Sequence, residues 1–343
     1  MPATPLLSSV ATRDIVESLD GPVVITGACG FVGANLCRAL VSRGVSILAI
    51  DGPSGNDWRI RGVSGIRRDS VDICSRQIVR EYLLDVNPSV VVNCAAFGAY
   101  PAQQDPDRIY RVNFDAVRFL LEVAADLPRL VAFIQAGSSS EYGLNCTQPS
   151  ESSATQPDSN YAVSKVAASA LVQYYGSKIG VPAWTLRLYS VYGPLEDFSR
   201  LVPRLLLEAK EKRLPPLVNP AISRDFVHID DVCRAVMQVV ERASVIRKGE
   251  IYNVGTGIRT SLSDLVTLVR RQFHISDEPA WGSMPDRRWD HADWFADPSK
   301  ARKDLGWAAA VSLSDGLAST MKWIDENPEI VLQGQRKSVA PKP

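Results

Sequence analysis

The first two-thirds of the sequence alternate short apolar runs with amphipathic stretches, and this alternation constrains the fold more than any other feature. The apolar runs are rich in Val, Ile and Leu and lack a period of two, which is typical of strands buried on both faces of a parallel sheet. They cover residues 23–26, 45–50, 90–93, 130–136 and 183–188. The intervening helical patterns cover residues 32–43, 75–86, 109–125 and 161–179. The resulting βαβαβ order predicts an α/β fold with a Rossmann-like, doubly wound parallel sheet.

The sequence pattern changes after about Pro194, where prolines become frequent and helical and extended segments no longer alternate regularly. We therefore predict an N-terminal extension over residues 1–22, a Rossmann-like domain over 23–195 and a smaller, discontinuous C-terminal lobe over 196–332. A segment near 224–232 is predicted to return to the main domain. The polar and basic tail over 333–343 is predicted to be disordered.

Composition and charge narrow the possible partners. A formal net charge of +0 gives no electrostatic reason to expect nucleic acid or an anionic membrane as a ligand. The six cysteines are scattered without a Cys-x-x-Cys pair, and there are three histidines, so neither a disulfide framework nor a metal site is expected. No run approaches the roughly 18 apolar residues that a membrane span needs. Charged residues interrupt the N-terminal apolar stretches, so no signal peptide is expected, and we predict a soluble, cytoplasmic protein.

A glycine-rich loop follows the first predicted strand and opens the first predicted helix, with the sequence Gly27-Ala28-Cys29-Gly30-Phe31-Val32-Gly33. Gly27 permits the tight turn, Gly30 lets the backbone approach a pyrophosphate, and Gly33 lets the helix pack close to the sheet. Together with Phe31 and Val32 these glycines form the predicted phosphate-binding loop of a dinucleotide site.

Asp51 ends the second predicted strand, where a ribose-binding acid belongs in such a site. Its carboxylate would accept hydrogen bonds from both ribose hydroxyls and repel a 2′-phosphate, which favours NAD over NADP. Arginines follow at positions 59, 61, 67 and 68, so NADP stays open as the alternative cofactor.

Further motifs lie along the chain at the positions expected for this kind of site. They are Asp72-Ile73, Asn93-Cys94-Ala95-Ala96, Val112-Asn113, Tyr161-Ala162-Val163-Ser164-Lys165, the segment 224–232, Asp297-Pro298-Ser299-Lys300-Ala301 and Leu305-Gly306-Trp307. Together they resemble the extended short-chain dehydrogenase/reductase family, in its nucleotide-sugar epimerase and dehydratase branch, from about residue 23 to 317. The resemblance implies that the cofactor also contacts Asp72, Ile73, Cys94, Ala95, Ala96, Asn113, Tyr161, Lys165, Tyr189 and Val191.

Tyr161 and Lys165 stand one turn apart on the same face of a predicted helix. A phenol with a pKa near 10 is a poor base at neutral pH, and a neighbouring ammonium and the nicotinamide would both favour the phenolate. By the family's pattern, Tyr161 would take a proton from a sugar hydroxyl while a hydride leaves the same carbon.

The segment Gly137-Ser138-Ser139-Ser140-Glu141-Tyr142-Gly143 leaves an ambiguity. Aligned without a gap on Tyr142-Gly143, Ser138 falls on the family's catalytic serine or threonine. With one deletion, Ser139 takes that position instead, and Glu141 falls where dehydratases keep an acid/base glutamate. Both alignments stay open at the level of sequence.

The resemblance also suggests how a sugar diphosphate would be held. Arg224 would contact the pyrophosphate, and Arg287 or Arg288 would approach it from the C-terminal lobe. Tyr100 would border the sugar, together with Ala99 and Gln103. Ser190 departs from the pattern, because it stands where most relatives have an asparagine that touches the substrate phosphate.

Three reactions share this apparatus, namely epimerisation, dehydration and keto-sugar reduction. Asp51 favours a recycled NAD and so disfavours a reductase, and the ungapped serine alignment lacks the Asp-Glu pair of dehydratases. We therefore predict an epimerase of a nucleotide-diphospho-sugar, with a non-catalytic NAD-binding regulator as the alternative from another class. The resemblance further implies a homodimer through the helices near residues 113–125 and 161–178.

Overall fold

The structure is a computed structural model, and it describes residues 19–53, 55–284 and 293–339. In its first part the strands and helices are β1 (Val23–Thr26), α1 (Phe31–Val41), β2 (Ile47–Asp51), β3 (Ile66–Ser70), α2 (Arg76–Val86), β4 (Val90–Asn93), α3 (Pro106–Tyr110), α4 (Ala116–Ala124), β5 (Ala132–Ser138), α5 (Asn160–Tyr174) and β6 (Ala183–Leu188). They continue as β7 (Ser190–Tyr192), α6 (Leu201–Lys210), β8 (Ser223–Arg224), β9 (Phe226–His228), α7 (Ile229–Arg242), β10 (Ile251–Val254), β11 (Thr260–Ser261), α8 (Leu262–Phe273), α9 (Ser299–Leu305), α10 (Leu313–Glu326) and α11 (Pro328–Val339).

A seven-stranded sheet has the order β10-β6-β5-β4-β1-β2-β3. Strand β1 pairs in parallel with β2 and β4, as do β2 with β3 and β4 with β5. The order reverses at β1, which is the doubly wound arrangement that the alternating apolar runs predicted. Because the carboxyl ends of β1 and β4 lie side by side, with Thr26 beside Asn93, the loops that follow these strands meet at one edge of the sheet.

Every residue of β1 and β4 is buried, which explains why these apolar runs lack a period of two. Apolar side chains of β1, β4 and β5 are fully buried under α2, α4 and α5, and the cluster includes Val24, Val91, Phe133, Leu83, Leu120, Leu121 and Val172. Helix α4 contributes apolar residues spaced three and four apart, which places them on one buried face.

The chain divides into two compact units whose bounds differ from the predicted ones. The first unit comprises residues 1–137, 164–186 and 233–251, and the second comprises 138–163, 187–232 and 252–343. The segment 224–232, predicted to return to the main domain, belongs instead to the second unit, where β8 pairs with β11 and β9 with β7. The strands in this segment are satisfied by partners from that unit, and it is residues 233–251 that return to the first.

Residues 333–339, which lie within the tail predicted to be disordered, are the last turns of α11. Pro328 begins this helix, and Val331 and Gly334 are buried. The predicted extension over residues 1–22 is described only from residue 19. No helix in the described part of the chain is long and apolar enough to cross a bilayer.

Candidate active site

The glycine-rich loop lies in the first unit, between β1 and α1. Gly27 has a φ of +62°, and a Cβ at this position would lie 2.6 Å from the backbone nitrogen of Ala95. A Cβ on Gly33 would lie 2.5 Å from the Gly27 carbonyl oxygen. Gly30 is the N-cap of α1, where no described side chain caps the helix and the first turn carries no acid. Glycines without side chains and the first N–H groups of α1 together form a cradle that fits a pyrophosphate.

The carboxylate of Asp51 lies at the end of β2 and is tied to this loop. Its Oδ2 accepts a hydrogen bond from the Cys29 N–H at 3.0 Å, and its Oδ1 accepts one from the Gly52 N–H at 2.9 Å. Each carboxylate oxygen keeps a lone pair for a ribose hydroxyl, so the site fits the ribose of NAD.

The arginines at positions 59, 61, 67 and 68, which kept NADP as the alternative cofactor in the sequence, all form contacts within the protein. Arg59 is buried, donates to the Cys29 carbonyl at 3.1 Å and stacks over the Trp58 ring. Arg61 and Arg68 pair with Asp57, and Arg67 pairs with Asp69. Arg59 thus supports the glycine-rich loop itself, a role that the sequence did not indicate.

Polar side chains connect the strand ends beside the loop. The Thr26 hydroxyl donates to the Asn93 side chain, whose amide donates to Gln135 Oε1 at 2.7 Å. Asn113 brackets the backbone of Phe97, accepting from its N–H at 2.9 Å and donating to its carbonyl at 2.8 Å. These bonds hold the predicted cofactor segment Cys94-Ala95-Ala96 along the sheet edge. Asn113 lies in a π-helical turn over Arg111–Asp115, and this turn interrupts the helix that was predicted to be continuous over residues 109–125.

Asp72 and Ile73 lie in the same unit, just beyond β3. Asp72 is exposed and accepts from the Cys74 N–H at 3.0 Å, whereas Ile73 is buried. Tyr100 lies in the loop between β4 and α3, where its carbonyl accepts from the Gln103 N–H at 2.9 Å.

The triple serine is a tight 3-10 turn in the second unit. Ser138 is its N-cap, and its hydroxyl accepts from the Ser140 N–H at 3.2 Å. The Ser139 hydroxyl is buried and accepts from Trp294 Nε1 at 3.1 Å. Neighbouring serines therefore face different surroundings, because consecutive residues leaving a strand point in different directions.

Tyr161 lies in the first turn of α5 and forms a side-chain hydrogen bond with Ser138. Burial raises the pKa of the Tyr161 phenol, while the Ser138 hydrogen bond and the guanidinium of Arg200 lower it. Arg200 lies just before α6, and the sequence reasoning missed it because no motif marks this position. One turn after Tyr161, Lys165 Nζ donates to the carbonyl of Ala136 at 2.5 Å.

The structure describes most of the predicted substrate residues, again in the second unit. Arg224 stacks over the Trp294 ring at 5.1 Å and donates to the Ser223 carbonyl at 2.7 Å. The Ser190 N–H donates to the Asp225 carbonyl at 3.0 Å, and Val191 is paired with Val227 between β7 and β9. Tyr189 is buried, and burial raises the pKa of its phenol. Arg287 and Arg288 lie outside the described residues.

Asp225 organises the backbone around Arg224, and the sequence analysis did not single it out. Its buried carboxylate accepts from the Thr256 N–H and hydroxyl, the Gly257 N–H and the Ala296 N–H at 2.6–3.1 Å. Burial raises the pKa of Asp225, and these four hydrogen bonds oppose that rise. The acid therefore ties the segments before β11 and α9 to the strand pair that carries Arg224.

The glycine-rich loop, the ribose acid and the reversed strand order define a dinucleotide-binding α/β protein of the short-chain dehydrogenase/reductase type. Residues 23–255 match the NAD dependent epimerase/dehydratase family. The chain belongs to this family, and it is an NAD-dependent enzyme, as the sequence motifs predicted.

Named relatives and solved structures show which activities occur among proteins similar to this chain. The chain is 28% identical over 315 residues to a dTDP-glucose 4,6-dehydratase of Streptomyces griseus, covering 88% of this chain and 93% of the relative. It is 29% identical over 328 residues to a UDP-glucuronate 4-epimerase of Arabidopsis thaliana, covering 88% and 74%. A UDP-glucuronic acid 4-epimerase from Bacillus cereus, solved with UDP-glucuronic acid and NAD, matches with a TM-score of 0.77 and 26% identity over 89% of this chain and 99% of that one.

Proposed function

We propose that this enzyme is an epimerase of a nucleotide-diphospho-sugar. The observation that carries the proposal is the hydrogen bond between Ser138 and Tyr161, which supports the ungapped alignment of the serine turn. In that alignment the two residues after the catalytic hydroxyl are Ser139 and Ser140, which are poor acids and bases compared with carboxylates. Water elimination needs an acid/base pair beside the sugar, and this turn offers hydroxyls in its place.

The proposed reaction is a transient oxidation of one ring hydroxyl. When NAD is bound, it takes up the hydride from that ring carbon and later returns it. The Tyr161 phenolate would take the hydroxyl proton, and Ser138 would donate a hydrogen bond to the same oxygen as it becomes a carbonyl. Return of the proton from Tyr161, with delivery of the hydride to the other face, would leave a sugar of unchanged composition and inverted configuration.

Two further features support an epimerase over a reductase. Asp51 is held at the ribose position, and the arginines that could take a 2′-phosphate are engaged with Asp57, Asp69 and the Cys29 carbonyl. An epimerase regenerates its NAD in every cycle, whereas a reductase consumes reduced cofactor. The site therefore suits a cofactor that stays bound and is recycled.

For the substrate we propose a uridine- or thymidine-diphospho-hexose, with Arg224 as the residue that takes the diphosphate. The relatives named above act on dTDP-glucose and UDP-glucuronate, and both sugars carry this diphosphate handle. Arg224 stacks on Trp294, whose indole N–H reaches the Ser139 hydroxyl, so one chain of contacts joins the diphosphate residue to the serine turn.

The decisive experiment is mass spectrometry and NMR of products from UDP-glucose, UDP-galactose, UDP-glucuronic acid and dTDP-glucose, with NAD as the sole added cofactor. We expect a product of unchanged mass with one inverted ring carbon. Loss of one water would establish a dehydratase instead. No reaction with any sugar until a keto-sugar and reduced cofactor are supplied would establish a reductase.

Removing the Ser138 hydroxyl is expected to affect both rate and pH dependence. Ser138→Ala should lower kcat by about 100-fold, since one donor to the developing oxyanion is lost. The hydrogen bond lowers the pKa of Tyr161, so its loss should raise that pKa and move the rising limb of the kcat/KM profile to higher pH. Ser139→Ala is the matched control, because the Ser139 hydroxyl contacts Trp294, and an equal effect of both substitutions would contradict the assignment of Ser138.

We propose that the enzyme is a homodimer formed through α5 and α4. On and just after α5, Tyr174 is 53% and Ile179 is 50% exposed, so this helix carries large side chains that a second copy would cover. Tyr174→Arg is expected to halve the mass measured by light scattering, because it would bury a charge in the interface. Val245→Arg, at an exposed apolar residue outside these helices, should leave the mass unchanged. A wild-type monomer would contradict the proposal.

We also propose a cytoplasmic location, on the ground that all six cysteines are free thiols, as expected in a reducing compartment. Fractionation of cells that produce the full chain would test this location.

A further inference from the structure

The serine turn is held from within by the carboxylate of Glu141. Its Oε1 accepts a hydrogen bond from the backbone N–H of Ser138 at 2.9 Å, and the Ser138 hydroxyl in turn caps the Ser140 N–H. These reciprocal bonds form a capping box, which fixes the backbone at the point where β5 ends. The same backbone carries the hydroxyl that bonds to Tyr161.

The second oxygen of Glu141 is paired with a buried guanidinium. Oε2 accepts from Arg187 Nε at 2.8 Å, with the glutamate side chain 0% and the arginine side chain 4% exposed. The guanidinium also stacks over the ring of Tyr142 at 4.5 Å, and the Tyr142 hydroxyl donates to Asn253 Oδ1 at 2.7 Å. Arg187 therefore neutralises a carboxylate that would otherwise be a costly isolated charge.

A buried ion pair of this kind adds little stability over two well-packed apolar side chains, so stability alone is a weak explanation for it. Its geometry supplies another reason, because the carboxylate is bonded to the residue whose hydroxyl faces Tyr161. With both oxygens engaged and the side chain enclosed, Glu141 has no route to a sugar as a proton donor or acceptor.

We propose that Glu141 is a positioning residue for the reaction, which holds the Ser138 backbone so that its hydroxyl meets the reacting oxygen, while Arg187 holds the carboxylate in place. The inference rests on the proposed function, since it assigns a task within that site. It also replaces the alternative in which Glu141 is the acid/base residue of a dehydratase.

The test compares two double variants that both lack the buried ion pair and that differ in one hydrogen-bond acceptor, the side-chain oxygen at position 141. The double variant Glu141→Gln with Arg187→Met, called the Gln pair, keeps an oxygen that accepts from the Ser138 N–H. The double variant Glu141→Met with Arg187→Met, called the Met pair, removes that oxygen at similar volume. Neither leaves an unpaired buried charge. We expect kcat of the Met pair to be about 10- to 100-fold below that of the Gln pair, because a catalytic group shifted by a fraction of an ångström loses that much. KM should agree within about twofold, since substrate binding is untouched.

A double-mutant cycle with Ser138→Ala separates positioning from a purely structural role. Ser138→Ala should cost about 100-fold in the Gln pair and less than about threefold in the Met pair, where the hydroxyl is already misplaced. Equal kcat in the two pairs, a change confined to KM, or a full Ser138 effect in both would overturn the proposal. Loss of water elimination in both pairs, with hydride transfer intact, would return Glu141 to the acid/base role.

Amide hydrogen exchange at Ser138 tests the first step without any substrate. Protection should be retained in the Gln pair and lost in the Met pair, and equal protection in both would overturn the proposal. This measurement distinguishes a failure here from a failure of the proposed function, which would appear as wild-type inactivity on the sugar panel. If the Met pair does not fold, the Gln pair alone decides: we expect kcat within about threefold of wild type, and a loss above about 100-fold in a folded protein would overturn the proposal.

Discussion

Tyr161→Phe is expected to lower kcat by about 10³-fold, since the substitution removes the one oxygen that would exchange a proton with the sugar hydroxyl. Burial raises the pKa of this phenol, and the hydrogen bond from Ser138 and the guanidinium of Arg200 oppose that rise. Affinity for NAD should stay within about twofold of wild type, because the glycine-rich loop and Asp51 are unchanged.

The matched control is Tyr174→Phe on the same helix, where the side chain is exposed and its hydroxyl has no assigned task. It should leave kcat unchanged. An unchanged kcat for the Tyr161 variant would contradict the assignment of Tyr161 as the base and would mean that another group accepts the proton. The measurement is steady-state turnover on the substrate that the sugar panel identifies, with isothermal titration of NAD alongside.

Gly27→Ala is expected to weaken NAD binding by about 100-fold, equivalent to about 2.7 kcal/mol. The added Cβ would meet the backbone of Ala95 at 2.6–2.7 Å, and backbone cannot turn away as a side chain can. Either the loop or the segment after β4 must move, and both are predicted to contact the cofactor. Titration of NAD into the purified variant measures the effect without reference to any sugar.

Gly44→Ala separates this clash from backbone strain. Gly44 has a φ of +79°, close to the +62° of Gly27, but a Cβ there would meet nothing within 4 Å. Both variants should lose about 1–2 kcal/mol of stability from the left-handed conformation, and only Gly27→Ala should lose NAD affinity. Equal dissociation constants for the two variants would show that the loop tolerates the contact and that the cradle lies elsewhere.

Features that depend on near neighbours along the chain could be predicted from the sequence. The parallel sheet follows from continuous apolar runs, since strands covered on both faces need apolar residues at every position. The glycine-rich loop and Asp51 could be placed because the strand and helix that flank them are local patterns, and the family confirms the NAD cofactor. Tyr161 and Lys165 share a helix because four residues make about one turn.

The choice between Ser138 and Ser139 could not be made in this way. The two residues are adjacent and identical, and a one-residue gap exchanges their roles in an alignment. In the structure their partners differ, since Ser138 meets Tyr161 and Ser139 meets Trp294, 155 positions further along the chain. The partner of Glu141 is likewise 46 positions away, and without Arg187 a glutamate in this turn resembles an acid/base residue.

The sequence by itself therefore determined the sheet, the cofactor loop and the candidate catalytic helix, because each is specified by the periodicity of a single segment and the conformational needs of a few glycines. Only the tertiary structure decided which serine faces Tyr161 and that Glu141 is enclosed and paired with Arg187. It also decided that Arg200 lowers the pKa of the Tyr161 phenol and that residues 224–232 belong to the second unit. These features depend on contacts between side chains that are far apart in the sequence, and such contacts produce no periodic pattern within any one segment.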